Sequence, residues 1–237
     1  MHRPDSISPI KLDTPTFLEE LTETFEATET LPDPEISGHA QSRIVLASSS
    51  EYRKALLSRI VDDFICESPD IDEQRGRNEP MQALAERLAI EKADKLRQKY
   101  PQHLIIGSDQ VACLNIAGEE IQLDKPLSKE RCIEQLEQCQ GKTVKFYTGI
   151  CLLNSLTGTV QSSVESYQTR FRKLNARQIW HYTEKEPALN CAGGFKMEGL
   201  GIALFEYIRG DDPNTLIGLP LIKLVKMLQN EGYEVLG

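Results

Sequence analysis

An α/β fold built on a mixed β-sheet is what this sequence predicts, on three observations. Short apolar runs of strand length alternate with stretches of helical period through most of the chain. Two long strand-like runs in the C-terminal half are joined by a tight turn, which adds an antiparallel hairpin to that alternation. Hydrophobic residues make up 40% of the 237 residues, enough for a substantial core.

The elements follow in order. Residues 1–41 hold nine acidic and two basic side chains, are rich in Thr, Glu and Pro, and show little apolar periodicity. They read as a disordered acidic extension. One stretch, TFLEELTETF, places Phe17, Leu18, Leu21 and Phe25 where they can share a helical face. A single domain over 42–237 follows. It opens with RIVLASSSEYRKALLSRI: Arg43 to Ala47 as a buried strand, Ser48 to Ser50 as a loop and helix cap, and Tyr52 to Ile60 as a helix. FICES reads as a strand. Between Pro80 and Tyr100 the residues Met81, Leu84, Leu88 and Leu96 recur at helical spacing.

LIIGS and VACLN read as two compact strands, the second ending in a turn at Ala117-Gly118. SKERCIEQLEQCQG predicts a helix with Ser128 as N-cap and Gly141 as stop. KFYTGICLLN and VQSSVESYQTRFR form the hairpin, turning at Thr157-Gly158. NARQIWHYTEK is a helix opened by Asn175, GIALFEYIRG a strand, DDPNTLIGLP a loop, and LIKLVKMLQNEG a helix.

Composition removes several classes of function. No run of about 18 apolar residues exists, and the N-terminus lacks an apolar stretch with a cleavage site, so neither a membrane span nor a secretory signal is expected. Six scattered cysteines form no C-x-x-C pair, and the four histidines do not cluster with them. A zinc site is not expected, and the thiols read as reduced, mostly core-filling residues of a cytoplasmic protein. The net charge of −9 comes mostly from the extension, leaving a nearly neutral body. With no basic block, the chain is a poor nucleic-acid binder, whereas a polyphosphate small molecule fits if local cations offset the repulsion.

Candidate chemistry lies in five places. Ser48, Ser49 and Ser50 stand where a helix begins, so free backbone N–H groups and hydroxyls can meet an anion, with Arg53 and Lys54 within one turn. Asp109, in GSDQ directly after an apolar strand, is expected at the carboxyl edge of the sheet, where it can bind a divalent cation or take a proton from water. Asp70, Asp72 and Glu73 offer oxygen ligands suited to Mg²⁺ or Mn²⁺. Lys92 and Lys125 are candidate phosphate ligands. Lys196 and Glu198 sit in the glycine-rich GGFKMEG, whose backbone can approach a ligand closely. Each has a plainer reading as a cap, a turn or a surface charge. His2 and His39 fall in the extension, while His103 and His181 read as helix-end surface residues. No nucleophile–base set is visible, which leaves attack by water on a phosphate.

Taken in order, LASSSEYRKALL, DIDE, ERLAIEKA, IIGSDQV, DKPLS, FYTGICL, FRKLNARQIWHY, CAGGFKMEGLG and DDPNTLIGLPLIKL resemble the Maf family of nucleotide pyrophosphatases over about Arg43 to Tyr233. IIGSDQV, FYTG, CAGGFKMEG and DPNTLIGLPLI are similar to its 7-methyl-GTP branch. The resemblance implies an elongated mixed sheet with two lobes around a cleft, the Maf/ITPase-like arrangement, together with a divalent metal (Mg²⁺ or Mn²⁺) and a homodimer. It implies Asp109 as proton acceptor and metal ligand. Ser49, Arg53, Glu73, Lys92 and Lys125 would line the triphosphate and metal site, and Tyr52, Gln110 and Glu198 would set base preference. The chain departs from the family pattern at Glu51, where Pro is usual, at Asp124, where Gly is usual, and at Tyr52, where the branch carries Trp. The reaction implied is hydrolysis of 7-methyl-GTP to the monophosphate and pyrophosphate. The alternatives are the same reaction on dTTP or UTP, and a non-catalytic nucleotide-binding regulator of growth or division.

Overall fold

A computed structural model describes residues 43–237; the acidic segment and its candidate helix lie outside the described residues. The elements are β1 (Arg43–Ala47), α1 (Glu51–Leu57), β2 (Phe64–Glu67), α2 (Met81–Lys95), β3 (His103–Ile116), β4 (Glu119–Leu123) and α3 (Lys129–Cys139). They continue with β5 (Thr143–Asn154), β6 (Val160–Phe171), α4 (Ala176–Lys185), a 3₁₀ turn (Leu200–Leu204), β7 (Phe205–Arg209), α5 (Asn214–Ile217) and α6 (Leu221–Asn230). Among the described residues no helix is long and apolar enough to cross a membrane.

The seven strands form one open mixed sheet in the order β2-β1-β3-β5-β6-β7, with β4 also paired to β3. β1 runs parallel to β2 and β3, and every other pairing is antiparallel. Ile44 to Ala47 of β1 are all apolar and buried because both faces of the sheet are covered there. Val45 and Ala47 pack toward α2, whereas Ile44 and Leu46 pack toward α1 and α6.

β3 organises the molecule. One of its edges is shared: β1 pairs with His103–Gly107 and β4 with Ala112–Ile116, which leaves Ser108–Val111 unpaired on that side. On the opposite edge β5 pairs without a break from Leu104 to Leu114. Separate cores lie on either side of the gap. One gathers Ile44, Leu57, Ile106, Ile150 and Leu224. The other gathers Leu114, Leu136, Phe146, Phe171 and Phe195, with Phe195 edge-on to Phe146, Phe171 and Phe205 at 4.9 to 5.6 Å between ring centres. The two lobes therefore meet where β3 loses its neighbour, and a cleft opens there.

Two glycines let α2 lie directly on the sheet. A Cβ on Gly107 would stand 2.0 Å from the Ala89 carbonyl oxygen, and one on Gly149 would stand 2.0 Å from that of Ala85. Neither site leaves room for a methyl group, and backbone atoms cannot swing aside as a side chain can. Gly149→Ala is expected to cost about 3 kcal/mol or more, lowering the melting temperature by roughly 10 °C. A melting curve matching that of the parent protein would show that α2 does not need this approach.

Several expectations from the sequence need correction. LIIGS and VACLN are parts of one 14-residue strand, because β5 pairs without a break across the junction, from Leu104 to Leu114. Asp109 is consequently in mid-strand, not after its end; the strand that ends beside it is β1. Residues 119–123 form a strand that was not anticipated. The first half of GIALFEYIRG is a 3₁₀ turn, since Gly201 packs so tightly on Lys196 that the chain must curl before β7 starts. DDPNTLIGLP contains the short α5, which Asp212 helps to start by accepting a hydrogen bond from the Asn214 amide at 2.8 Å. His103 opens β3 and His181 lies within α4, so neither marks a helix end.

Candidate active site

The cleft has a volume of about 960 Å³ and is lined from all parts of the fold. Ser48, Ser49, Ser50, Tyr52 and Arg53 come from the β1–α1 corner. Glu73 comes from the loop after β2, Lys92 from α2, and Asp109 and Gln110 from the gap in β3. Lys125 follows β4, and Glu198 belongs to the glycine-rich loop before the 3₁₀ turn. These residues, all expected from the sequence, thus face one space, whereas the further candidates Lys54 and Lys196 are not part of its lining. Of the wider acidic group, Asp70 and Asp72 do not line it, and Asp72 instead accepts from the Gln74 amide at 3.0 Å to shape its own loop.

Alternation along β3 sends neighbouring side chains to opposite faces of the sheet. Asp109 shares the α2 face with Gly107, whereas Gln110 shares the other face with Ser108. On the α2 side, Lys92 Nζ donates to Asp109 Oδ1 at 2.5 Å and to Glu73 Oε1 at 2.7 Å. Lys92 is only 6% exposed and Asp109 8%, so this cluster lies at the floor of the cleft, with Glu73 at its rim. Burial pushes the Glu73 carboxyl up, but its hydrogen bond to Lys92 and the charges of Lys92, Lys125 and Arg53 together hold it below its ordinary value. Three cations therefore converge on this end of the cleft.

The serine corner differs from the expected row of free donors. Ser48 N–H donates back to the Leu46 carbonyl, Ser50 N–H to Ser48 Oγ, and Arg53 N–H to Ser50 Oγ. Among the described residues the N–H groups of Ser49, Glu51 and Tyr52 remain without partners, as does the exposed Ser49 hydroxyl. Arg53 is oriented by a Nε–H bond to the Gly218 carbonyl at 2.8 Å. Burial lowers its pKa, opposed by the charges of Asp109 and Glu73, yet an arginine starts so far above neutrality that it remains a cation.

The loop from Asp212 to Ile222 is the functional element that sequence reasoning missed. Its carbonyls orient the site: Gly218 holds Arg53 and Ser108, while Thr215 and Leu216 accept from Gln110 Nε2 at 2.8 and 3.2 Å. Thr148 Oγ1 also accepts from Gln110 Nε2, at 3.1 Å. Asp212 ties the loop together by accepting from the Asn214 and Ile222 amides. The run D-D-P-N signals such a turn, but nothing in it signals which side chains its carbonyls will hold.

Phe146, Phe195 and Leu216, with Met197 packed against them, add apolar surface to a lining that also includes Tyr52 and Glu198. The Lys196 ammonium sits 5.8 Å from the centre of the Tyr52 ring. Asp124 also lines the cleft, and its partners lie within its own part of the chain and on α3. Its carboxylate accepts from Gln122 at 2.8 Å, and its carbonyl accepts from Gln135 at 2.9 Å.

No group of three or more His, Cys, Asp or Glu side chains able to hold a metal occurs among the described residues. Asp109 and Glu73 are the two carboxylates that meet, already bridged by Lys92. Such a pair suits a hard divalent cation that draws its remaining oxygen ligands from phosphates and water.

Comparison with known proteins gives the family. A family model described as "Maf-like protein" matches residues 43–231. A 7-methyl-GTP pyrophosphatase of Nitrosococcus oceani is 48% identical over 206 residues, covering 87% of this chain and 99% of that protein. Another, of Colwellia psychrerythraea, is 48% identical over 193 residues, covering 81% of this chain and 94% of its own. The structure of the Staphylococcus aureus Ham1 protein aligns with a TM-score of 0.44 at 15% identity, over 80% of this chain and 99% of that one. A likeness this remote supports no inference.

Proposed function

The chain belongs to the Maf family, and from that premise we propose that it hydrolyses 7-methyl-GTP between the α- and β-phosphates, using a divalent cation and releasing 7-methyl-GMP and pyrophosphate. The observation that carries the reaction is the Asp109–Lys92–Glu73 cluster, set at the floor of a cleft large enough for a nucleotide. Asp109 gives Oδ1 to Lys92, and among the described residues its Oδ2 has no donor. That oxygen takes a proton from the attacking water. The water oxygen bonds to the α-phosphorus, and the bond to the bridging oxygen breaks, so pyrophosphate leaves with the electron pair. Arg53, Lys92 and Lys125 hold the triphosphate by charge, and the Ser49 hydroxyl donates to it. A bound Mg²⁺ or Mn²⁺, held by Glu73 and Asp109, supplies charge neutralisation at the phosphates.

Base choice rests on hydrogen-bond polarity. Three acceptors surround the Gln110 amide nitrogen, which decides the orientation of the amide and leaves its Oε1 for a ligand. Glu198, when ionised, is also only an acceptor. Guanine answers with adjacent N1–H and N2–H₂ donors, whereas thymine and uracil place a single N–H between two carbonyls. The positive charge of a 7-methylated base favours stacking on Tyr52 and proximity to Glu198. The activity would remove a modified nucleotide from the precursor pool.

Incubation of 7-methyl-GTP with the protein and Mg²⁺ or Mn²⁺ is expected to yield the monophosphate and pyrophosphate, at rates well above those for dTTP and UTP. Release of 7-methyl-GDP and inorganic phosphate would refute the cleavage position, and preferential turnover of pyrimidines would refute the base.

A further inference from the structure

Glu73 stands on a stretch with no helix or strand of its own, residues 68–80 between β2 and α2. A carboxylate on such a segment holds a fixed position only if something clamps the backbone beside it. The clamp is Arg87, on α2, five residues before Lys92. Its Nε donates to Glu79 Oε1 at 2.7 Å, and its Nη2 donates to Glu79 Oε2 at 2.9 Å, a planar two-point grip. Nη2 also donates to the carbonyl of Gln74, the residue next to Glu73, at 3.0 Å. Nη1 is braced by the Glu91 carboxylate at 3.1 and 3.2 Å. The turn is closed from within, because Glu79 accepts from the Gly76 amide at 2.8 Å and from Arg75 Nε, through its carbonyl, at 2.7 Å.

We infer that Arg87 is a positioning residue: by fixing the 74–79 turn on α2, it sets where the Glu73 carboxylate meets Lys92 and Asp109. Lys92 and Arg87 belong to one helix, so the distance between the clamp and the catalytic cation is rigid. The Arg87 hydrogen bond and the Gly76 amide pull the Glu79 carboxyl down to about 2, so the grip is ionised at any pH near neutrality. A lysine at this position keeps the charge but cannot span both Glu79 oxygens and the Gln74 carbonyl in one plane. Neither Arg87 nor Glu79 lines the cleft, so any kinetic effect of theirs reaches substrate through Glu73.

The kinetic readout rests on the hydrolase reading above, so the test has two arms. In the first, kcat and KM for 7-methyl-GTP are measured in a cycle of Arg87→Met, Glu73→Gln and the double variant. Arg87→Met is expected to lower kcat roughly 10-fold, with KM changing less than about twofold, and to have under a twofold effect in the Glu73→Gln background. In the second, amide hydrogen exchange is followed without nucleotide or metal. Residues 74–79 are expected to exchange faster in Arg87→Met, while β3 and β5 stay unchanged.

An equal loss in both backgrounds would assign Arg87 to general stability and overturn the inference, as would unchanged exchange at 74–79. Should Arg87→Met not fold, Arg87→Lys and Glu79→Gln run the same two arms. If the wild-type protein hydrolyses no nucleotide, the functional reading fails by itself, and the exchange arm still decides the clamp.

Discussion

Asp109→Asn is expected to reduce turnover of 7-methyl-GTP by at least about 100-fold while leaving the fold intact, the usual scale for losing a general base. Asparagine has the same shape, so the β3 register and the contact with Gly149 across the strands are kept. Lys92 also retains a partner in Glu73 at 2.7 Å, so no buried charge is stranded. What disappears is the oxygen able to accept a proton, since an amide carbonyl is far less basic than a carboxylate. With the divalent cation saturating, KM should hold or fall, because one negative charge is removed from beside a triphosphate. The measurement is kcat with a matched thermal melt; near-normal turnover by a folded variant would remove Asp109 from the role of base.

Lys92→Met should be the most damaging single change to stability, at about 3–5 kcal/mol in denaturant unfolding. Its ammonium is the only cation hydrogen-bonded to Asp109 among the described residues, and Asp109 is almost wholly buried. Glu73 is over half exposed and can turn into water, so the cost falls on Asp109. The double variant Lys92→Met/Asp109→Asn should therefore regain much of the loss, a non-additivity that distinguishes a stranded charge from a packing defect. Turnover of Lys92→Met should also fall sharply, through a missing phosphate contact. A single variant within about 1 kcal/mol of the parent would mean that water already reaches Asp109 freely.

Much of the fold was legible because its signals are local. The Ser128 cap on α3 and the Asn175 cap on α4 stand where the sequence places them, and Gln178 completes a capping box with Asn175. The β5–β6 hairpin turns at the expected Thr157-Gly158. Errors gathered where distant partners decide the outcome. Nothing within LIIGSDQVACLN shows that β5 will carry it through as one strand, and nothing in GIALF shows that Gly201 must press against Lys196.

The site divides the same way. Residue types, their order and their family resemblance were enough to nominate eleven of the side chains that line one cleft. The sequence by itself determined the chemistry on offer: cations for phosphates, two carboxylates, and an aromatic ring beside acceptor groups for a base. Only the tertiary structure decided how these are used. Lys92 lies between Asp109 and Glu73, the Gln110 amide nitrogen is occupied by backbone carbonyls, and β3 is left bare between β1 and β4. The reason is physical. Side-chain chemistry and helix or turn propensity depend on a few neighbouring residues, whereas hydrogen-bond pairing and burial depend on which surfaces meet when the whole sheet closes.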